Sequence, residues 1–333
     1  MIKDGHIFLF TVRQGESEDV LLKKYNFNFR TIGKKRKSRY GKLFGLIDFS
    51  IKILIHALRF KATLFISHGS MYAGIAAVIL RKPHIALEDS GNMEQIRISK
   101  PFSTVILTPD ILPVNLGEKQ IRYKSYHEIA YLHPEYFKPG EEVFQHLKIS
   151  ENKKYAIVRF VSWGATHDIG QQGLSDQNKI ELVNILTRDH RVYITSETPL
   201  HEELKKYKIQ IPFELMHDAL YHASLYVGEG ATMASEAGVM GTPSVYISTI
   251  RRCYNDDQEK YGTVYNYTDF DTAYMKIISI IEDGNAKIST RKKQALMLAD
   301  KINVTRFLVW YVSTFPESDK IMKMNPDHQL EFR

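Results

Sequence analysis

The sequence predicts an α/β protein built as two domains, each on a parallel sheet. Short β-branched and aromatic runs alternate with longer stretches of helical period, the pattern of repeated βα units. Two such series are separated by YLHPEYFKPGEEV, which holds two prolines, a glycine and mixed charge. At 333 residues the chain is also long for one hydrophobic core and sufficient for two, since single cores stop growing at about 250–300 residues. The expected division is a first domain over 1–140, a second over 141–315, and a loosely held polar tail over 316–333.

In the first series, strands are expected at HIFLFTV (6–12), TLFIS (63–67), HIALE (84–88) and TVILT (104–108). The longest helical stretch, GKLFGLIDFSIKILIHALRF, lies between the first two. The second series is YAIVRFV (155–161), RVYITS (191–196), ASLYVG (223–228) and SVYIS (244–248), with helical sequence between successive strands. TRKKQALMLADKI and TRFLVWYVSTF read as closing helices. Hydrophobic content of 44% and charged content of 25% are ordinary for a soluble globular protein. No uninterrupted apolar run approaches the roughly 18 residues of a membrane span, and MIKDGHIFLF lacks the pattern of a signal peptide. A cytoplasmic location is the expectation. The single cysteine, Cys253, excludes an internal disulfide and a cysteine-rich metal site. A net charge of +7 favours anionic partners.

The chemistry concentrates in GEGATMASEAGVMGTPSV, residues 228–245. A strand-like run leads in and another leads out. In open α/β sheets ligands sit beyond the carboxyl ends of strands, near helix N-termini. There the first backbone N–H groups lack internal partners and, with the helix dipole, attract phosphate. Gly228 and Gly230 permit a sharp turn and close approach of a ligand. Ala231 and Thr232 then open the helix, with the Thr232 hydroxyl available to a phosphate oxygen. Glu236 follows one turn later, where a carboxylate suits the paired hydroxyls of a ribose. The alternative is a tight structural turn with Glu236 solvated or capping. A dinucleotide fingerprint is disfavoured, because Met233 stands at its third glycine and no acidic residue follows about 20 positions on.

GEGATMASEAGVMGTP resembles the diphosphate-and-ribose motif of GT-B nucleotide-sugar enzymes, particularly UDP-N-acetylglucosamine 2-epimerase. Together with SHGSMYAGIAAVIL, YHEIAYLHPEYFKP, VRFVSWGATHDIGQQGLS and YITSETPL, it is similar to an archaeal and bacterial GT-B family classed only as a domain of unknown function. The resemblance covers most of the chain. It implies two Rossmann-like domains facing a cleft, with the nucleotide mainly on the second. It leaves two expectations open, that the N-terminal sheet lacks its first strand or that this sequence starts late, since GT-B chains usually place a strand, loop and helix before the GH that stands here at 5–6. Gly230, Ala231 and Thr232 fall on the epimerase diphosphate turn, Glu236 on its ribose glutamate, and Glu88 on a catalytic carboxylate. His68 and Gly69 match the start of an H-G-D motif in which Ser70 replaces the aspartate. A hydroxyl without an activating partner is no general base near pH 7, so epimerase chemistry is disfavoured.

Other candidates lie at strand ends. In RFVSWGATHDIGQQG, Arg159 and Ser162 are candidate phosphate partners and His167 a candidate base; the alternative pairs Arg159 with Asp168. In TSETP, Ser196 and Glu197 either touch the sugar or uridine or cap a helix. In the resembling enzymes the chain before the next helix frames the nucleobase, which makes Phe213 a candidate stacking ring and His217 its neighbour; a core aromatic is the competing reading of Phe213. DFD (269–271) reads as a helix N-cap rather than a metal motif, and no required metal or cofactor is expected. Residues 34–60 join a basic cluster to an aromatic-rich helix, which suits either peripheral contact with the inner face of a membrane or a core helix with a solvated loop. Nucleic acid is not an expected partner, because no stacking platform accompanies the cluster.

The expected function is a metal-independent glycosyltransferase that uses a nucleotide-diphosphate sugar, UDP-linked, with a glycan or lipid-linked acceptor. Its base is His68 or Glu88. An epimerase or hydrolase and a noncatalytic nucleotide-sugar-binding protein are the alternatives.

Overall fold

A computed structural model describes residues 1–14, 17–34, 39–162 and 173–333. The chain divides into two compact units. The first comprises Met1–Lys124 with Arg306–Phe332, and the second Ser125–Thr305 with Arg333. The division therefore falls before the expected boundary at 140, and the C-terminal segment returns to the first unit.

The first unit runs β1 (Phe10–Val12), α1 (Ser17–Lys24), β2 (Phe29–Thr31), α2 (Arg39–Phe60), β3 (Phe65–His68), α3 (Met71–Leu80), β4 (His84–Leu87), α4 (Met93–Ser99), β5 (Val105–Pro109) and β6 (Gln120–Tyr123). Its main sheet is parallel, in the order β3-β4-β5-β6. All five residues of β5 are buried, as a strand covered on both faces requires. β1 was expected to belong to this sheet but pairs instead with β2, as a separate parallel pair. α3 buries Ala73, Gly74, Ala76 and Ala77. These small side chains let it lie close to α2, which contributes Phe49, Ile53 and Ala57 to the same core.

The second unit runs α5 (His127–Leu132), α6 (Glu142–Leu147), β7 (Tyr155–Phe160), α7 (Asp176–Leu186), β8 (Arg191–Ser196), α8 (Met216–His222), β9 (Leu225–Gly228), α9 (Ala231–Val239), β10 (Ser244–Ile247), α10 (Cys253–Tyr261), β11 (Val264–Tyr267), α11 (Phe270–Glu282) and α12 (Ala286–Asp300). Five parallel strands take the order β11-β10-β9-β7-β8. The reversal of direction beside β7, where β8 and β9 flank it, is the crevice position at which doubly wound sheets bind ligands. Asp269 caps α11 by accepting from the Thr272 N–H at 2.9 Å, as the sequence led us to expect of DFD.

α13 (Val304–Ser313) begins in the second unit and continues in the first, followed by α14 (Glu317–Met324). The segment expected as a loose polar tail is thus ordered into the first unit. Ser318, Met322 and Gln329 are buried. The Gln329 amide accepts from the Lys124 N–H at 2.6 Å and donates to the Arg122 carbonyl at 3.3 Å. Gln329 misled the reading because it turns inward onto the backbone of Arg122 and Lys124 at the edge strand β6.

Candidate functional site

The turn after β9 is shaped by what lies under it. A β-carbon at Gly228 would stand 2.4 Å from the Arg159 carbonyl oxygen, and one at Gly230 would stand 2.8 Å from Arg159 Cγ. Glycine is the side chain that fits at both places. The fully buried Tyr226 hydroxyl donates to the Gly230 carbonyl at 2.9 Å. Burial holds that phenol far above its usual range, so it remains a donor. Gly230 is the N-cap of α9 and no side chain caps the helix. The amides of Ala231, Thr232 and Met233 therefore open the helix with their dipole uncompensated by a cap. Thr232 is exposed at this mouth.

Glu236 lies one turn into α9 and is only 8% exposed. Its Oε1 accepts from the Tyr131 hydroxyl at 2.9 Å and lies 3.0 Å from His217 Nε2. The rings of Tyr131 and His217 are 5.5 Å apart and tilted, with Phe137 edge-on to the histidine. Both partners reach the same oxygen, and among the described residues Oε2 carries no hydrogen bond. One carboxylate oxygen is fixed in place while the other stays available to accept.

Arg159, at the end of β7, reaches Thr195 Oγ1 and Glu197 Oε1, each at 2.5 Å. Glu197 Oε2 accepts from the Ser162 N–H at 3.1 Å. Arg159 thus has a local counter-charge in Glu197. Its expected alternative, Asp168, lies outside the described residues, as does His167. Ser196 closes its own turn, its hydroxyl donating to the Thr198 carbonyl at 2.7 Å. Phe213 stands 57% exposed in the turn before α8, which overturns the core-aromatic reading. A helix start leaves its first side chain outside the packed layer, so hydrophobicity alone misplaces it.

Glu229 escaped the sequence reading, although it lies between the two glycines. It is 4% exposed and spans two chain segments. Its Oε2 accepts from the Val161 N–H at 3.0 Å and its Oε1 from the Leu174 N–H at 2.6 Å. One buried carboxylate therefore ties together both flanks of residues 162–173. Tyr131 was missed as well, since nothing local in YHEIAYLHP marks it.

In the first unit, His68 Nε2 lies 3.1 Å from Asp89 Oδ1 at the carboxyl ends of β3 and β4. Such a carboxylate orients an imidazole. Glu88 is buried, and its Oε1 accepts from the Ser90 N–H, the Ser90 hydroxyl and the Gly91 N–H. That geometry braces the 88–91 turn. Ser70 caps α3, accepting from the Ala73 N–H at 3.4 Å. A cavity of about 700 Å³ in this unit is lined by Arg13, His68, Ser70, Asn92 and Gln95 among others. The sequence candidates thus fall into two groups, Arg159 to Glu236 in the second unit and His68 with Glu88 in the first.

Three solved structures share this architecture. Anabaena HepE in complex with UDP and glucose has 12% identity and a TM-score of 0.61, covering 92% of each chain. UDP-GlcNAc 2-epimerase from Neisseria meningitidis bound to UDP-GlcNAc has 11% identity and a TM-score of 0.60, covering 88% of this chain and 90% of that one. The S. aureus MnaA–UDP co-structure has 13% identity and a TM-score of 0.58, covering 85% and 82%. At such identities the likeness fixes the fold, which is GT-B. No curated protein matches the sequence. Residues 1–309 match the family described as "Protein of unknown function (DUF354)", and the chain belongs to that family.

Proposed function

We propose that this protein is a glycosyltransferase whose donor is a nucleotide-diphosphate sugar, UDP-linked, and which needs no metal to hold the diphosphate. The observation that carries the reading is the pairing of an uncapped helix start at Gly230–Thr232 with a preorganised carboxylate one turn further on. The amides and dipole of α9 face the pyrophosphate, and Glu236 Oε2 accepts from a ribose hydroxyl. Arg159 adds positive charge as the diphosphate leaves, which stabilises charge where it develops. UDP in two of the three similar structures, and UDP-GlcNAc in the other, support a uridine nucleotide. His68, oriented by Asp89, is the proposed base for the acceptor hydroxyl. Glu88 is better suited to bracing its turn.

The test is a thermal-shift titration with UDP, uridine and UDP-sugars. UDP is expected to raise the melting temperature, uridine to do so far less, and Glu236→Ala to abolish the UDP response. Equal stabilisation of the parent and Glu236→Ala would sink the ribose assignment. Incubation with UDP-N-acetylglucosamine alone is expected to leave the sugar's stereochemistry unchanged; formation of the 2-epimer would identify an epimerase instead.

A further inference from the structure

α2 carries apolar residues on two opposite sides, parted along one flank by the polar stripe Asp48, Lys52, His56 and Arg59. Phe49, Ile53 and Ala57 are buried on one side. On the opposite side Phe44, Ile47, Ile51, Ile55 and Leu58 recur at helical spacing and are each 40–60% exposed. A helix with a second apolar side beyond the one that faces its own core is expected to have that side covered as well. Five aligned apolar side chains over about 21 Å of helix exceed the scattered exposed residues of an ordinary surface. Val78 and Ile79 on the adjacent helix α3 are exposed too.

Charge selects the occupant. Between Val20 and Leu87 the sequence holds fourteen lysines and arginines against one acidic residue, Asp48. Asp48 is itself paired with Lys52 at 3.0 Å. Arg59 and Lys61 at the end of α2, and Arg81 and Lys82 at the end of α3, are exposed. A second copy of the chain on this face would meet the same positive charge. An anionic surface would be attracted by it. No helix among the described residues is long and apolar enough to cross a membrane.

We infer that the exposed face of α2 docks in the plane of an anionic lipid bilayer, with its apolar stripe among the acyl chains and the flanking cations on the headgroups. The inference is independent of the nucleotide reading. In flotation assays the full chain is expected to bind vesicles of phosphatidylcholine with about 30% phosphatidylglycerol at least tenfold more than pure phosphatidylcholine, and to be released by high salt. Ile51→Glu with Ile55→Glu is expected to abolish binding, and Arg59→Ser with Lys61→Ser, Arg81→Ser and Lys82→Ser to weaken it. Both variants should melt as the parent does and keep the UDP response, since the substituted side chains are exposed. Equal binding to both vesicle types, or to neither, overturns the inference. So does light scattering that shows a dimer which the double glutamate variant separates in the absence of lipid, because the face would then belong to a second copy.

Discussion

A β-carbon added at position 228 would press on the Arg159 backbone, which cannot turn aside, whereas at position 230 it would meet the flexible Arg159 side chain. Gly228→Ala is therefore expected to cost about 3 kcal/mol in urea unfolding, near the upper range for overpacking, and Gly230→Ala closer to 1 kcal/mol. The milder variant should still weaken UDP binding, because Arg159 is pushed from its place. His84 gives a residue-scale prediction in the first unit. It is buried, lies 2.8 Å from the Ser67 hydroxyl through Nε2, and desolvation lowers its pKa from 6.5 to about 4. Between those values the unfolded chain binds the extra proton, so stability is complete above pH 6.5 and falls as the pH drops toward 4. The loss is on the order of 3 kcal/mol, and urea midpoints at pH 7.5 and 4.5 should show it flattened in His84→Gln. At this scale the sequence revealed residues whose partners are near in the chain. Gly230 and Glu236 stood out because a turn and a helix fall together. Tyr131, which holds Glu236, lies 105 positions away, and only folding brings it there.

Among the elements, those with two buried faces were plain from their composition. β7, β9 and β10 are almost entirely buried and read as continuous apolar runs. β2, β6 and β11 were missed. Each is an edge strand, and FRT, QIRY and VYNY mix polar with apolar residues because one side of each has no neighbour. The β9–α9 connection also does more than turn the chain, since Glu229 holds the amides of Val161 and Leu174 from its midpoint. Glu229→Gln would set an amide N–H₂ against one of those donors. It is expected to cost about 1–3 kcal/mol and to speed hydrogen exchange at Val161 and Leu174. Unchanged exchange at both amides would show that the carboxylate is dispensable.

For the whole molecule, the sequence showed two α/β units but not where the chain passes between them. Phe307, Tyr311 and Met322 belong to the first unit and are buried there. They looked like a closing helix and tail because covalent order carries no signal of a return. Truncation after Thr305 is expected to abolish the thermal transition of the first unit while the second retains its own, a difference that calorimetry resolves.

Apart from Arg333, the second unit is one unbroken stretch, whereas the first is assembled from two pieces that lie on either side of it in the chain. On the ribosome the later-starting unit is therefore finished earlier. Its polypeptide is complete once Thr305 has been added, while its upstream partner waits for Arg306–Phe332. A released chain that ends at Thr305 should already recognise uridine diphosphate, with its opening half still unsettled.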